Sequence, residues 1–413
     1  MQEHPIATPE QHAHELQALE LIQHPIVKEA YARVRESWLE KADPTPAMRA
    51  CFDWAFDEVM FSAAIWSSNQ DPLRPKVITI TRLAHPVGDI QVPGSRWGID
   101  NPDSIYRVIP ISGDQKYRIH GRVGERRMTE NYFTLWDEKM NTVDVLSGHD
   151  LVVNQDRTFT ISVDAEPANG RPNHIRSAPE AHEFYIRDVM LDWAKDEPNE
   201  LSIERLGARP STPARSLDEQ AQLTADFMAH YADFTQRLSG GSLQGKANRF
   251  SLGWSADTGG ALRKQVYVGG HFCLEADEAL VIHVSDGGAD YFVVPIANIW
   301  GTTLDIVNRT SSLNKAQSIA NRDGTYTYVL SRNDPGAHNW LDPCDMDEGM
   351  LTLRMAEFPD TGPREDLSAR GEVVKLADLS AYLPEGTTWL TPEQRGHQQV
   401  ERASAYRRRL PEV

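Results

Sequence analysis

Hydrophobic positions change their period several times along the chain. Near the start, Leu19, Ile22, Ile26, Val27, Ala30, Val34 and Trp38 recur at helical spacing. Pro25 interrupts them and predicts two helices, the proline standing in the first turn of the second, where no N–H is needed. Met48, Cys51, Phe52, Ala55, Phe56, Val59, Met60 and Ala63 form a further helical face after Pro44 and Pro46. From Lys76 the period shortens. "KVITITRL", "SIYRVIPI", "QKYRIHGRV", "TFTISV" and "ELSIERL" are rich in β-branched and aromatic residues and are separated by turn-forming residues, the pattern of a sandwich or barrel. "HEFYIRDVMLDWAKDEP" is ambiguous: 182–186 suits a strand, and 188–195 suits a short helix ended before Pro198.

The proline- and serine-rich break "GARPSTPARS" closes this block. Leu217, Ala221, Thr224, Phe227, Met228, Tyr231, Phe234 and Leu238 then mark one helix. After "SGGS" a second strand-rich block opens with "KQVYVGGHFCL", "EALVIHV", "DYFVVPIANIW", "TYTYVLS" and "MLTLRMAEF", and residues 392–409 read as a closing helix. The fold class expected is α+β, predominantly antiparallel β. It comprises an N-terminal helical region (1–70), a first β-sandwich-like domain (75–208), a connecting helix (214–240), a second β-sandwich-like domain (245–380) and a C-terminal helix (391–410). No repeat of solenoid length is present.

Composition narrows the partners. With 413 residues, 40% hydrophobic and 25% charged, the chain can bury cores for more than one domain. A formal net charge of -18 disfavours nucleic acid and anionic membrane, which need a positive field. No apolar run is long enough to cross a bilayer, and "MQEHPIATPEQHAHELQ" lacks a basic region followed by an apolar one, so a cytoplasmic protein is expected. Cys51, Cys273 and Cys344 are odd in number and far apart, as reduced thiols are.

Candidate chemistry concentrates in "SRNDPGAHNWLDPCDMDEG", where Pro335, Gly336 and Pro343 force a loop. Arg332 can hold a carboxylate bidentately, His338 titrates near neutrality, and Asp334, Asn339, Trp340 and Asp342 complete the usual inventory of a small-molecule pocket. The same residues also suit structural duty: an Asp334-Pro335-Gly336 turn, Asn339 and Asp342 capping backbone amides, Trp340 in the core. Arg187, Asp188, Asp192 and Trp193 form a comparable mixture in the first strand block, with an ion pair and a core tryptophan as the structural reading.

Weaker signals fall away. Asp342, Asp345 and Asp347 resemble a calcium loop in spacing but lack its central glycine and terminal glutamate. "GGSLQGKAN" has the glycine and lysine spacing of a phosphate loop, but Ala247 replaces the metal-binding hydroxyl and a helix precedes it, so a glycine cap ending that helix explains it better. His271 and Cys273 share one face of a strand, where a core or edge position is the plainer reading. His149 beside Asp150 suits either an exposed turn or a charge-oriented base. His4, His12, His14 and His24 are expected in a flexible start. Neither a metal nor a cofactor is expected, and the common catalytic signatures are missing.

The strings "DNPDSIYRVIPI" with "YRIHGRVG", "FYIRDVMLDWAKDEPNELSIERLG", "DEALVIHV" and "SRNDPGAHNWLD...EGMLTLR" resemble the bacterial family catalogued as domain of unknown function 1214, over residues 97–379. The resemblance implies a largely antiparallel β-sandwich fold and no particular reaction. Pro343, Cys344 and the acids after them depart from the family's pattern, so any role for them is private to this chain.

Two classes of function fit. One is a cofactor-independent hydrolase or lyase acting on a small, partly apolar molecule with an anionic or carbonyl group, in which His338 and Asp342 do acid–base work and Arg332 fixes that group. The alternative is a non-catalytic binding module for a small ligand or carbohydrate, with Trp340, Trp254 and Trp300 as stacking faces. An enclosed interface between two domains and a helical cap favours the enzyme. The apolar helix faces leave a homo-oligomer open.

Overall fold

A computed structural model of the chain describes residues 4–254 and 265–410, with the Ser242 and Trp254 side chains outside the description. Helices α1 (Pro9–Gln23), α2 (Pro25–Ala42), α3 (Pro46–Ala50) and α4 (Phe52–Ser68) come first. Thr8 caps α1 by accepting from the Gln11 amide, and Pro25 opens α2 as its spacing predicts. α4 lies deepest. From Val59 to Ser67 every residue is buried, so that stretch has no solvent face.

The first strand block is β1 (Ile78–Thr79), β2 (His85–Val87), β3 (Ile90–Val92), β4 (Ser104–Pro110), β5 (Lys116–Arg122), β6 (Glu130–Asp137), β7 (Thr142–Ser147), β8 (Thr158–Asp164), β9 (His174–Arg176), β10 (Ala181–Val189) and β11 (Glu200–Leu206). Helix α5 (Leu217–Leu243) follows, started by a Ser216–Glu219 capping box. The second block is β12 (Arg249–Trp254), β13 (Val266–Cys273), β14 (Glu278–Ser285), β15 (Tyr291–Ala297), β16 (Ser312–Asn314), β17 (Tyr326–Leu330), β18 (Trp340–Leu341), β19 (Glu348–Ala356) and β20 (Ser368–Lys375), and α6 (Pro392–Arg407) closes the chain.

Each block folds into a sandwich of two sheets, the first carrying a separate β2–β3 hairpin as well. In the first, β1-β4-β10-β6-β7 packs on β11-β5-β8-β9; in the second, β12-β13-β19-β15-β16 packs on β18-β17-β14-β20. Strands β13 through β20 repeat the places of β4 through β11 in the same order, down to the parallel edge pairs β8 with β9 and β17 with β18. The protein is therefore α+β with two topologically equivalent sandwiches. Separate apolar cores fill them, around Phe133, Ile161 and Phe184 in one and around Phe272, Ile282 and Leu353 in the other.

The five-stranded sheets face each other across a seam. Val189 meets Tyr291, Val293 and Ala356 at its apolar end, and helices α1, α4 and α5 pack over part of the first sheet's outer face. Asp103, fully buried, ties the seam by accepting from Trp193 Nε1 at 2.7 Å, Tyr291 Oη at 2.8 Å and Asn314 Nδ2 at 3.0 Å. Among the described residues no helix is long and apolar enough to cross a membrane.

Three expectations change. Residues 188–195 do not form a helix: β10 continues to Val189, because Asp188 pairs in register with Ile105 and Asn131 and is buried as the ion partner of Arg107. The connecting helix does not end in a glycine cap at Gly240 but runs to Leu243, its last turn held by buried Ser239 and by Leu243 against the helical core. His12 and His14 sit in α1 and are buried, and His14 Nε2 donates to the Ile65 carbonyl oxygen at 2.9 Å. Strand β6 also escapes the sequence reading. It buries Glu130, Asn131 and Thr134 among its apolar residues, so neither a period-two alternation nor a continuous apolar run marks it.

Candidate functional site

Strand alternation decides which side chains enter the seam. On the first sandwich Tyr106 of β4 stands opposite Arg187 of β10, and Tyr185 and Trp136 lie on the same face. On the second, Tyr267 of β13 stands opposite Arg354 of β19, with Gly269 opposite Thr352. Since β4 and β10 are the topological counterparts of β13 and β19, each sandwich brings the same cross-strand tyrosine–arginine pair to the seam. Between them lies a cavity of about 330 Å³, bordered by Trp97 to Asp100 and by Phe234 and Leu238 of α5.

Its walls are aromatic with cations set on them. Trp136 stacks on Tyr185 at 4.3 Å, and the Arg187 guanidinium lies 4.5 Å from the Tyr185 ring centre and 5.5 Å from that of Trp136. Arg354 lies 5.9 Å from the Tyr267 ring centre. One of its terminal nitrogens donates to the Tyr106 hydroxyl at 3.3 Å and the other to the Ile99 carbonyl oxygen, while its Nε has no partner among the described residues. Among the described residues no carboxylate pairs with Arg354. Asp100 also lines the cavity, but both its oxygens accept from Thr303, at 3.0 and 2.7 Å.

A buried acid stands behind this wall. The Tyr267 hydroxyl donates to Gln265 Oε1 at 2.6 Å, and Gln265 Nε2 donates to Glu130 Oε1. Burial pushes the Glu130 carboxyl up to about 8, the charge of Glu357 adding to the rise and Arg187 and Arg354 opposing it. Glu130 is therefore a neutral acid at pH 7, and its second oxygen has no partner among the described residues. Burial likewise holds the Tyr185 and Tyr267 hydroxyls above their ordinary range.

The loop around His338 lines neither wall of this cavity. Arg332 pairs with Asp347 at 2.7 Å on the surface. Asp342 is gripped by Arg309 through both oxygens, at 2.7 and 2.8 Å, and accepts from the Cys344 amide. Asp334 caps the Gly336 amide and holds Arg395 of α6 at 2.9 Å. Asn339 spends its amide group on the backbone of Ile319 and Thr327. Trp340 is buried, donates to the Ser331 carbonyl oxygen at 2.9 Å and carries the Arg395 guanidinium on its ring. No hydrogen bond joins His338 to Asp342. His338 instead contacts Asn339 and Gln398, and burial lowers its pKa. The polar residues of the loop thus cap turns and dock α6, and the three acids 342, 345 and 347 answer to arginines.

Of the other candidates, Arg187 alone belongs to the cavity. Asp188, its neighbour in sequence, faces the opposite way and pairs with Arg107 inside the sandwich, as alternation requires. Trp193 holds Asp103 and is covered by Arg402 at 4.3 Å. Trp193 and His338 border a second, wider cleft of about 830 Å³ beneath α6. Its central cation, Arg402, is already engaged by Ile306, Gln317 and Ser312. Trp300 is buried against Phe52, and the Trp254 side chain lies outside the description. His149 is oriented by Glu357 at 3.4 Å, with Glu357 accepting from Tyr132 as well. His271 approaches Glu348 at 4.0 Å, and Cys273 is exposed.

Tyr106, Trp136, Tyr185, Tyr267, Arg354 and Glu130 were not singled out by sequence. A signal existed: "MLTLRM" and "FYIRDV" each set an arginine inside an otherwise apolar strand, and a buried cation needs a partner.

No protein-family model matches the chain, and no curated protein matches it. The likeness to domain of unknown function 1214 therefore rests on the strings quoted above. The crystal structure of an uncharacterized protein from Burkholderia cenocepacia matches with a TM-score of 0.72 at 24% identity, over 87% of this chain and 99% of that one, a likeness of fold. A protein from Vibrio parahaemolyticus matches with a TM-score of 0.39 at 12% identity, over 67% of this chain and 90% of that one, a remote likeness.

Proposed function

We propose that the chain binds a small, partly apolar molecule carrying an anionic or carbonyl group in the cavity between its two sandwiches. Arg354 carries this reading. A guanidinium set among aromatic side chains, its Nε without a partner and no carboxylate paired to it among the described residues, is costly until an anion meets it. Aromatic walls provide the apolar part of the fit, and about 330 Å³ is a small-molecule volume. Turnover by His338 and Asp342 draws no support from their geometry, since Arg309 occupies Asp342. The carbohydrate alternative is also disfavoured, because Trp340 and Trp300 are buried and offer no exposed face.

A thermal-shift screen against small organic acids, esters and alcohols tests the reading, since a ligand of the native state raises the melting temperature. Leu238→Trp, at a half-exposed position on α5, fills the cavity mouth. Shifts given by acids or carbonyl compounds and lost in that variant support the site. Shifts that persist in it, or none at all, refute it.

A further inference from the structure

Resting on that reading of the cavity, we infer that its ligand is a compact aromatic carboxylate, its carboxylate held between Arg354 and Tyr106 and its ring against Trp136 and Tyr185. The Tyr106 hydroxyl oxygen accepts from the Asn101 amide at 3.0 Å and from Arg354 at 3.3 Å. With its oxygen so used, the hydroxyl hydrogen has no acceptor among the described residues and is free to donate. The Tyr185 hydroxyl makes no hydrogen bond among them either. Three further donors on lining residues, Arg354 Nε, Trp136 Nε1 and Thr352 Oγ1, are buried without a partner among the described residues.

The imbalance has one sign. The carboxylate that lines the cavity, Asp100, is consumed by Thr303, and the acid behind the wall, Glu130, carries a proton at neutral pH. A lining with spare donors and a cation calls for an anion with several acceptor atoms, and a planar carboxylate matches a guanidinium and a hydroxyl together. The rest of the lining fixes the remainder of the ligand. Trp97, Trp136, Tyr185, Phe234 and Tyr267 offer ring faces and edges, which favour a flat aromatic body over a flexible chain. The volume, about 330 Å³, sits at the lower end of small-ligand sites and suits a compact body better than an oligosaccharide.

The test is a titration of the full chain with 2-naphthoate, 2-naphthamide and hexanoate, read by calorimetry and by the fluorescence of the cavity tryptophans. Arg354→Gln, Tyr106→Phe and Leu238→Trp are titrated alongside, each checked for an intact melt. Naphthoate is expected to bind about tenfold or more tighter than the amide, a charge-assisted bond making that difference. Hexanoate is expected to be weaker than naphthoate. Arg354→Gln should erase the preference for acid over amide; should it fail to fold, Tyr106→Phe should still reduce it several-fold. Equal binding of amide and acid, both lost in Leu238→Trp, overturns the carboxylate and leaves the cavity as the site. Hexanoate binding as tightly as naphthoate overturns the aromatic body. Binding of none of the three, or binding that Leu238→Trp does not disturb, overturns the cavity reading and this inference together.

Discussion

Arg354 on β19 of the second sandwich donates to the Tyr106 hydroxyl on β4 of the first, 3.3 Å away, and that hydroxyl also accepts from the Asn101 amide at 3.0 Å. One oxygen thereby joins the seam, the loop before β4 and the cavity. Tyr106→Phe strands both donors while keeping the ring, and a buried donor without a partner costs about 1–3 kcal/mol. Urea unfolding should show a loss of that size with an unchanged slope. An unaltered midpoint would mean that the contact is idle.

Arg107 and Asp188 are a second test of buried charge. Both are fully buried, and Asp188 also accepts from the Asn199 amide at 2.9 Å and from Asn131 Nδ2 at 2.7 Å. Removing either partner leaves a lone charge, so Arg107→Ala and Asp188→Ala should each lose about 3–5 kcal/mol. The double variant should lose less than the two losses added, as a double-mutant cycle will show. Simple additivity would rule out a working pair.

Glu130 predicts a slope of stability with pH. Among the described residues, Gln265 just before β13, Tyr267 of β13, Arg187 of β10, Arg354 of β19, Glu357 just after it and Asp103 before β4 are polar and charged groups around it. Its carboxyl is raised from an ordinary 4.5 to about 8, first by burial. Between those values the unfolded chain releases the proton and the folded chain keeps it, so stability falls as pH rises from about 4.5 to about 8 and then levels. Glu130→Gln retains an acceptor for Gln265 and removes the titration. Its melting temperature should exceed the parent's at pH 8.5, and the gap should close toward pH 4.5. A gap independent of pH refutes the assignment.

His14 limits stability from the acid side. Burial lowers its pKa to about 4, with the Ile65 carbonyl oxygen opposing the shift. The folded chain keeps the ring neutral where the unfolded chain would protonate it. Stability is then complete above the ordinary value of 6.5 and is lost as pH falls toward 4. His14→Gln keeps a donor for Ile65 and should flatten that loss in melts taken across the range. An equally steep loss in the variant would place the acid sensitivity elsewhere.

Asp342→Asn separates the two readings of the loop. Arg309 grips both oxygens of a buried carboxylate, so the variant should lose about 2 kcal/mol, the scale of a charge-assisted bond, with the response to cavity ligands unchanged. A binding loop would give the opposite, an intact melt and an altered ligand response.

Much of the fold was legible along the chain because burial leaves a local trace. Helices α1 and α2 follow from the spacing of Leu19 to Trp38 with Pro25 between them, and strands such as β4, β5, β13 and β17 from their β-branched and aromatic runs. Where a strand buries polar residues among apolar ones, as β6 buries Glu130, Asn131 and Thr134, the trace vanishes. The loop from Ser331 to Gly349 misled for a related reason. Arginine, aspartate and asparagine make the same sequence whether they await a ligand or cap their own backbone, and the partners that decide, Arg309 and Arg395, lie far away in the chain.

The residue pattern by itself determined most of the helices and strands, that two strand blocks flank one long helix, and that the net charge repels polyanions. Only the tertiary structure decided where chemistry can occur. A strand shows its two faces alike in sequence, and a tyrosine and an arginine on separate strands mean nothing until pairing sets them opposite one another. Folding two equivalent sandwiches face to face brought Tyr106 and Arg187 against Tyr267 and Arg354, and hid Asp188 and Arg107 on the other side. Such contacts are set by the packing of distant strands, which no local periodicity records.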